Sequence, residues 1–361
     1  MKQRILIIGA GAIAHHHAAA ARLLGCEDLL VADPSATARA KFASDFPEAR
    51  LFESASDMFA DGPAGPKDIA VIAVPPWLHA KYSIGAFDAG LNVLCEKPLG
   101  RDIGEVNDII AAAVRSGRLL GDCSNRFNDQ PAMRRARELI GQGALGPMSL
   151  IRMTNRHPRR RTGIEYQPES RWFLNREMAG GGVFMDWSVY DIAMLFDVLM
   201  PKGVTIKSAS VSSIESSNDP TDVPIDVEFH GIAMMELDLP NGQQVPFIYE
   251  RASGVHGLTS SELSIDGRNG GMSWQWLPPY EEGMTTVTRY IDAGASVEER
   301  TERLSMKDQP HFHHQPLVAF AKRVAGKPSA SLDENTIRFN FALIAGMYAV
   351  AQSGKSFRVE K

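Results

Sequence analysis

Two groups of residues in the first third of the chain have the types and spacing to handle a phosphorylated cofactor and the substrate beside it. The first is Gly9-Ala10-Gly11-Ala12-Ile13-Ala14, which follows the apolar run 5–8 and precedes Asp33. Gly9 permits a tight turn out of a buried strand, and Gly11 removes the Cβ that would keep a pyrophosphate away. Ala14 is small enough for close helix–strand packing. The amides of Ala12 and Ile13 open the helix and would face phosphate charge. Asp33 closes a second apolar run, 29–32, at the spacing where a carboxylate accepts hydrogen bonds from an adenosine ribose diol. The second group is Glu96-Lys97-Pro98, directly after the apolar run 91–95. Ligands of open α/β sheets bind outside the carboxyl ends of the strands, so position alone puts Glu96 and Lys97 beside the cofactor. Val74-Pro75-Pro76-Trp77-Leu78-His79 ends the neighbouring run. Pro75 and Pro76 carry no amide donor and would stiffen a cofactor wall that includes Val74 and His79.

The elements that must position these groups are legible as alternation. Residues 69–74, 91–95 and 119–123 read as strands, and 10–24, 36–46, 78–89 and 103–115 as helices. Gly25, Gly90 and Gly117 fall just past three of the helices as stop signals. Strand–helix alternation implies a doubly wound parallel sheet, an α/β dinucleotide-binding domain over residues 1–124. The texture then changes. A helix at 131–140, a strand at 148–154 and a helix at 180–199 precede a β-rich region, 204–291, with hairpin signals at Asn241-Gly242, Asp266-Gly267 and Asn269-Gly270. Residues 125–335 are therefore expected to form an α+β substrate domain with a large, mostly antiparallel open sheet. Helices are expected at 316–324 and 334–352, and the last segment, 336–361, should pack back between the domains.

Composition narrows the class. Hydrophobic residues make up 44% of 361 and charged residues 22%, ordinary for a soluble globular protein. A net charge of −5 offers no general attraction to nucleic acid or to an acidic membrane. Cys26, Cys95 and Cys123 lie in or beside apolar runs without CxxC pairing and read as reduced thiols. Met1-Lys2-Gln3-Arg4 followed by apolar residues imitates a secretory signal, but His15-His16-His17 suits a phosphate-binding turn better, so a cytoplasmic protein is expected.

Gly9–Ala14, Asp33, Pro75 with His79, Glu96-Lys97-Pro98-Leu99, and Gly180-Gly181-Gly182 with Asp186 and Tyr190 together resemble the glucose–fructose oxidoreductase, inositol dehydrogenase and rhizopine-catabolism (Gfo/Idh/MocA) family. The resemblance covers the whole chain. It implies a nicotinamide-dependent oxidoreductase acting on a carbon of a sugar, sugar acid or cyclic polyol, with Lys97 as the catalytic lysine and Asp186 directed into the same cleft. Many members carry His where this chain has Tyr190, and Asp where it has Ala193; some sugar and diol dehydrogenases of the family also carry Tyr. Asp186 and Tyr190 are four residues apart, so one continuous helix would place them on one face. A free phenol titrates near about 10, and a neighbouring ammonium stabilises its phenolate. Tyr190 is accordingly expected to exchange the substrate hydroxyl proton while Lys97 polarises the oxygen.

Asp33 would repel a 2′-phosphate and favours NAD, although Arg39, six residues on, leaves NADP open. Asn125 and Arg126, after the last strand of the first domain, are placed to line the substrate cleft, and Trp172 to form an apolar wall. The run Arg159-Arg160-Arg161 suits either an acidic substrate or a solvated subunit contact. His15–His17 and His311-Phe312-His313-His314 show no matching carboxylate or cysteine ligand set, so no metal is expected. The sheet of the second domain has no obvious covering helix, and a homodimer or homotetramer through it is expected. Two other readings stay open: a non-catalytic dinucleotide-binding sensor of the same fold, and a reductase or dehydrogenase for a non-sugar carbonyl or diol.

Overall fold

A computed structural model describes residues 3–158, 170–213, 224–257 and 259–361. Strand–helix alternation in the first third folds as its periodicity predicts. β1 (Arg4–Ile8), β2 (Asp28–Ala32), β3 (Arg50–Phe52), β4 (Ile69–Ile72), β5 (Asn92–Cys95) and β6 (Leu120–Asp122) form a six-stranded sheet in the order β3-β2-β1-β4-β5-β6. Neighbouring strands are parallel, with Ile5 opposite Leu29 on one side and Ile69 on the other. The central strands read as unbroken apolar runs because helices cover both faces of such a sheet. Those helices are α1 (Ala12–Leu23), α2 (Ala36–Asp45), α3 (Ala55–Phe59), α4 (His79–Asp88) and α5 (Ile103–Ser116). Gly25, Gly90 and Gly117 all take positive φ just past a helix. β3 and α3 escape the sequence reading because each is short, and β3 is an edge strand with only two apolar residues.

Contacts divide the chain into a first unit, residues 1–126 and 310–338, and a second, residues 127–309 and 339–361. Residues 310–338 thus join the nucleotide half, whereas the sequence reading ran the second domain to 335. The reason is packing. After α6 (Pro131–Gly141), α7 (Val183–Asp186) and α8 (Ser188–Leu199), all in the second unit, the chain enters α9 (Gln315–Val324), which lies against α1, β5 and β6. Phe320 is fully buried there, and a Cβ added at Gly121 would come within 2.6 Å of its ring. Arg323 donates to the carbonyls of Leu120 at 2.8 Å and Leu332 at 2.7 Å. Gly121→Ala should therefore cost about 1–3 kcal/mol of unfolding free energy, read from urea denaturation. An unchanged midpoint would contradict this packing.

The second unit is built on a nine-stranded sheet. Its strands are β7 (Met148–Arg156), β8 (Gly203–Ser212), β9 (His230–Asp238), β10 (Gln244–Ala252), β11 (Ser260–Gly267), β12 (Gly270–Trp274), β13 (Met284–Asp292), β14 (Val297–Ser305) and β15 (Phe357–Glu360). Their order is β14-β13-β12-β11-β7-β10-β9-β8-β15, antiparallel except where β7 meets β10. β9 shows the period of two: Gly231, Ala233, Met235 and Leu237 are buried, while Ile232 and Met234 are exposed on the other face. The last helix, α10 (Glu334–Ser353), leads into β15, which pairs with β8 at the sheet edge.

Beneath the sheet lies a fully buried ion pair. Arg251 Nη2 donates to Asp191 Oδ1 at 2.9 Å, and the Tyr249 hydroxyl donates to Asp191 Oδ2 at 2.6 Å. The guanidinium also stacks over the Trp187 ring, 4.5 Å from its centroid. Burial pushes the Asp191 carboxyl up in pKa, against the pull of Arg251 and Tyr249.

Candidate active site

The turn between β1 and α1 has the shape a pyrophosphate needs. Gly9 sits at φ +102°, and a Cβ there would lie 2.5 Å from the Ala73 carbonyl oxygen, so the turn admits glycine alone. At Gly11 the Cβ direction meets nothing within 4 Å, and no side chain caps the helix that begins at Ala12 and Ile13. Asp33 follows β2 with its carboxylate turned to this loop. Oδ2 accepts from the Ala10 N–H and Oδ1 from the Ser35 N–H, both at 2.8 Å. Each oxygen keeps a lone pair for a ribose hydroxyl. Arg39 donates to the Asp33 carbonyl at 2.6 Å, which holds a cation beside the same position. This donor and acceptor set fits the adenosine and pyrophosphate portions of a dinucleotide.

At the carboxyl end of β5, two strands away, Glu96 is buried. Its Oε1 lies 2.9 Å from His17 Nε2 and 3.0 Å from Arg126 Nη2, and Oε2 accepts from the Lys97 N–H at 3.1 Å. Burial alone would raise its pKa, but the Arg126 charge, the His17 hydrogen bond and Lys97 outweigh that and hold the carboxyl well below its usual range. Glu96 is thus an ionised anchor and not a proton donor. His17 was not foreseen: it comes from the first histidine cluster, 79 residues away in sequence. A folded pKa below the unfolded value stabilises fully above the ordinary 4.5 and fades as pH falls beneath it. Unfolding free energy should therefore decline from roughly pH 5 to 3, with a shallower slope in Glu96→Gln, itself less stable at neutral pH. Equal slopes in the two proteins would remove Glu96 from this role.

His79 is fully buried, its ring nitrogens each 2.8 Å from a carbonyl oxygen, of Pro98 and of Val74. Burial lowers its pKa while the two carbonyls raise it. The ring ties the end of β4, where Pro75 starts a short turn, to the loop after Lys97. Asn125 and Arg126 lie in the 3₁₀ turn after β6, both buried; the Asn125 amide donates to the Ala330 carbonyl at 3.1 Å. Asp122 ends β6 in the same layer and was missed, although its place at a strand terminus was a readable signal. Burial pushes its carboxyl up to about 6.

In the second unit, the glycine triplet exists for close packing. A Cβ at Gly182 would stand 1.8 Å from the Glu228 carbonyl oxygen, and one at Gly181 would stand 2.2 Å from the Tyr348 hydroxyl. Glu228 in turn accepts from the Gly182 N–H at 2.9 Å and the Phe184 N–H at 3.1 Å, which fixes the start of α7. The single helix expected over 180–199 is broken. Trp187, at φ −116°, separates α7 from α8, and the Tyr190 N–H bonds the Trp187 carbonyl instead of that of Asp186. A shared helical face therefore does not follow for Asp186 and Tyr190. Tyr190 is 3% exposed, with its ring edge-on to Phe127 at 5.3 Å and Trp187 at 5.7 Å. Asp186 closes α7 and is buried. Trp172 stacks on Phe173 at 3.8 Å and is partly exposed.

Residues 3–121 match the family model described as oxidoreductase family, NAD-binding Rossmann fold, and residues 133–273 match the Gfo/Idh/MocA C-terminal domain. The chain belongs to the Gfo/Idh/MocA family. Within that family it is 28% identical over 195 residues to 1,5-anhydro-D-fructose reductase of Ensifer adhaerens, an alignment covering 54% of this chain and 55% of that protein. The chain thus spans about half the length of that relative. It is 22% identical over 363 residues to D-glucoside 3-dehydrogenase of Escherichia coli K12, covering 97% and 96%. Its fold matches that of levoglucosan dehydrogenase in complex with NADH and levoglucosan, with a TM-score of 0.77 at 18% identity over the whole of both chains.

The Gfo/Idh/MocA assignment agrees with the resemblance carried by the glycine turn, Glu96-Lys97-Pro98 and the glycine triplet, and with both sheets. No described helix is long and apolar enough to cross a membrane. Arg159, Arg160 and Arg161 lie outside the described residues. Of their neighbours, Arg156 pairs with Glu250 at 3.2 Å and Arg176 with Glu228 at 3.3 Å.

Proposed function

We propose that this chain is an NAD-dependent oxidoreductase that moves a hydride between nicotinamide and a carbon of a sugar, sugar acid or cyclic polyol. The observation that carries the reading is the pairing, on one sheet, of the Gly9–Asp33 cradle with Lys97 set on the ionised Glu96 anchor. Bound nicotinamide would supply the hydride acceptor or donor. The chain's own groups handle the oxygen: Lys97 donates a hydrogen bond to the substrate hydroxyl or carbonyl, and Tyr190 takes the hydroxyl proton as the C–H bond is oxidised, or returns it in reduction. Asp186, Trp172, Asn125 and Arg126 are the further substrate-binding residues of this reading. Val74 and Pro75 form the wall of the cofactor site in this reading, and His79, expected to line it too, is instead fully buried behind it, holding the end of β4 to the loop after Lys97. The relatives support the substrate class, since they are named for sugars and anhydrosugars.

Nicotinamide absorbance followed across a panel of monosaccharides, uronates and cyclic polyols tests the proposal. Turnover of at least one is expected; silence across the panel would favour a binding-only sensor. Because Asp33 stands where a 2′-phosphate would fall, NAD should bind at least roughly tenfold tighter than NADP in parallel titrations, about 1.4 kcal/mol. Arg39 is the residue that would narrow the gap. We also propose a homo-oligomer through the open sheet, supported by exposed Ile232 and Met234 on β9. Light scattering should give a multiple of the chain mass that Met234→Glu reduces, and a monomeric wild type would refute it.

A further inference from the structure

The two histidine clusters meet in the first unit, with His16 brought to His311 from 295 residues away in sequence. We propose that His16, His311 and His314 form a binding site for a divalent transition-metal ion of the zinc type. The inference is independent of the oxidoreductase reading.

A ligand nitrogen from each of the three rings lies within 4.8 Å of the other two. Around a tetrahedral ion with bonds of about 2.0–2.1 Å, such nitrogens stand roughly 3.3–3.4 Å apart. Small side-chain rotations close the difference. The backbone that carries the rings is held: α1 packs on α9, and the His311 carbonyl accepts from the N–H groups of His314 at 2.7 Å and Gln315 at 3.1 Å. The His313 N–H reaches His311 Nδ1 at 3.3 Å, a long bond that can yield to a metal bond. His16 stacks on His313 with centroids 4.2 Å apart, so its ring plane is set before any ion arrives.

Ligation needs neutral imidazole. An imidazole of ordinary character is mostly neutral at and above pH 7, so its nitrogen lone pairs are available there. Arg126 is a cation that acts on His16 and His311, and its guanidinium is bound to the Glu96 carboxylate. His311 is exposed and the other two are half-buried, which gives an ion a path in and leaves a fourth position for water. Three imidazoles without a carboxylate select zinc, cobalt, nickel or copper over magnesium and calcium. A second cluster, His17, Glu96 and Cys123, is fully buried and already holds the Arg126 guanidinium on Glu96, so a cation there would compete with a fixed one.

The test uses the full chain stripped by chelator, titrated with Zn²⁺ by calorimetry and with Cu²⁺ by electron paramagnetic resonance. One ion per chain and hyperfine structure from three imidazole nitrogens are expected. His16→Gln, His311→Gln and His314→Gln should each weaken the ion at least roughly tenfold, whereas His313→Phe, which keeps the stacked ring, should retain it. Circular dichroism of the apo variants checks folding, and exposed His311 supplies the variant with least effect on it. No saturable ion, or undiminished affinity in the folded His311→Gln protein, would overturn the proposal.

Discussion

Replacing Tyr190 by phenylalanine is expected to cut turnover at least roughly tenfold while NAD affinity stays unchanged. The variant removes one oxygen and keeps the ring, so the edge-on contacts with Phe127 and Trp187 persist and the helix α8 has no reason to shift. What is lost is the hydroxyl to which the proposed function assigns the proton exchange. Lys97→Met removes the other partner and should cost as much or more. The two losses should not add if, as proposed, the phenol takes the proton and the ammonium holds the oxygen in one step. Steady-state rates with a substrate found in the panel, beside a cofactor titration, read the outcome. Full activity in the phenylalanine variant would dismiss Tyr190 from the chemistry and leave it a packing residue of the second unit.

Arg251→Met is expected to lower the stability of the second unit by about 3–5 kcal/mol. Arg251 and Asp191 are both fully buried, and removing the guanidinium strands a carboxylate whose other partner is the Tyr249 hydroxyl. The loss exceeds the net worth of the pair, since it includes the desolvation of the charge left behind. Arg251→Met combined with Asp191→Leu should therefore recover much of the deficit, a sign that distinguishes an orphaned charge from lost packing. Urea denaturation followed by tryptophan fluorescence measures both. Equal instability in the single and double variants would point instead to the contact of Arg251 with Trp187.

Much of this was legible because it is local. The glycine turn, the apolar runs flanking it and Asp33 lie within 33 residues, and each obeys a rule of backbone freedom or strand period that neighbours in sequence impose. Glu96 and Lys97 could be placed at a strand end for the same reason. The two hairpin signals at Asp266-Gly267 and Asn269-Gly270 likewise bracket the β11–β12 turn. What sequence could not supply was who compensates whom. His17 and Arg126 converge on Glu96 from 79 and 30 residues away. Phe320 fills the space over Gly121, which moves α9 into the first unit. The break at Trp187 arises where its ring packs under Arg251 and the N–H of Tyr190 turns to a nearer carbonyl, and no periodicity announces it. The meeting of His16 with His311 and His314 belongs to the same class. Period and turn chemistry are properties of adjacent residues, so the sequence determined the sheets and the cofactor turn. Charge pairing and close contact depend on which distant side chains folding brings within a few ångströms, and only the tertiary structure decided those.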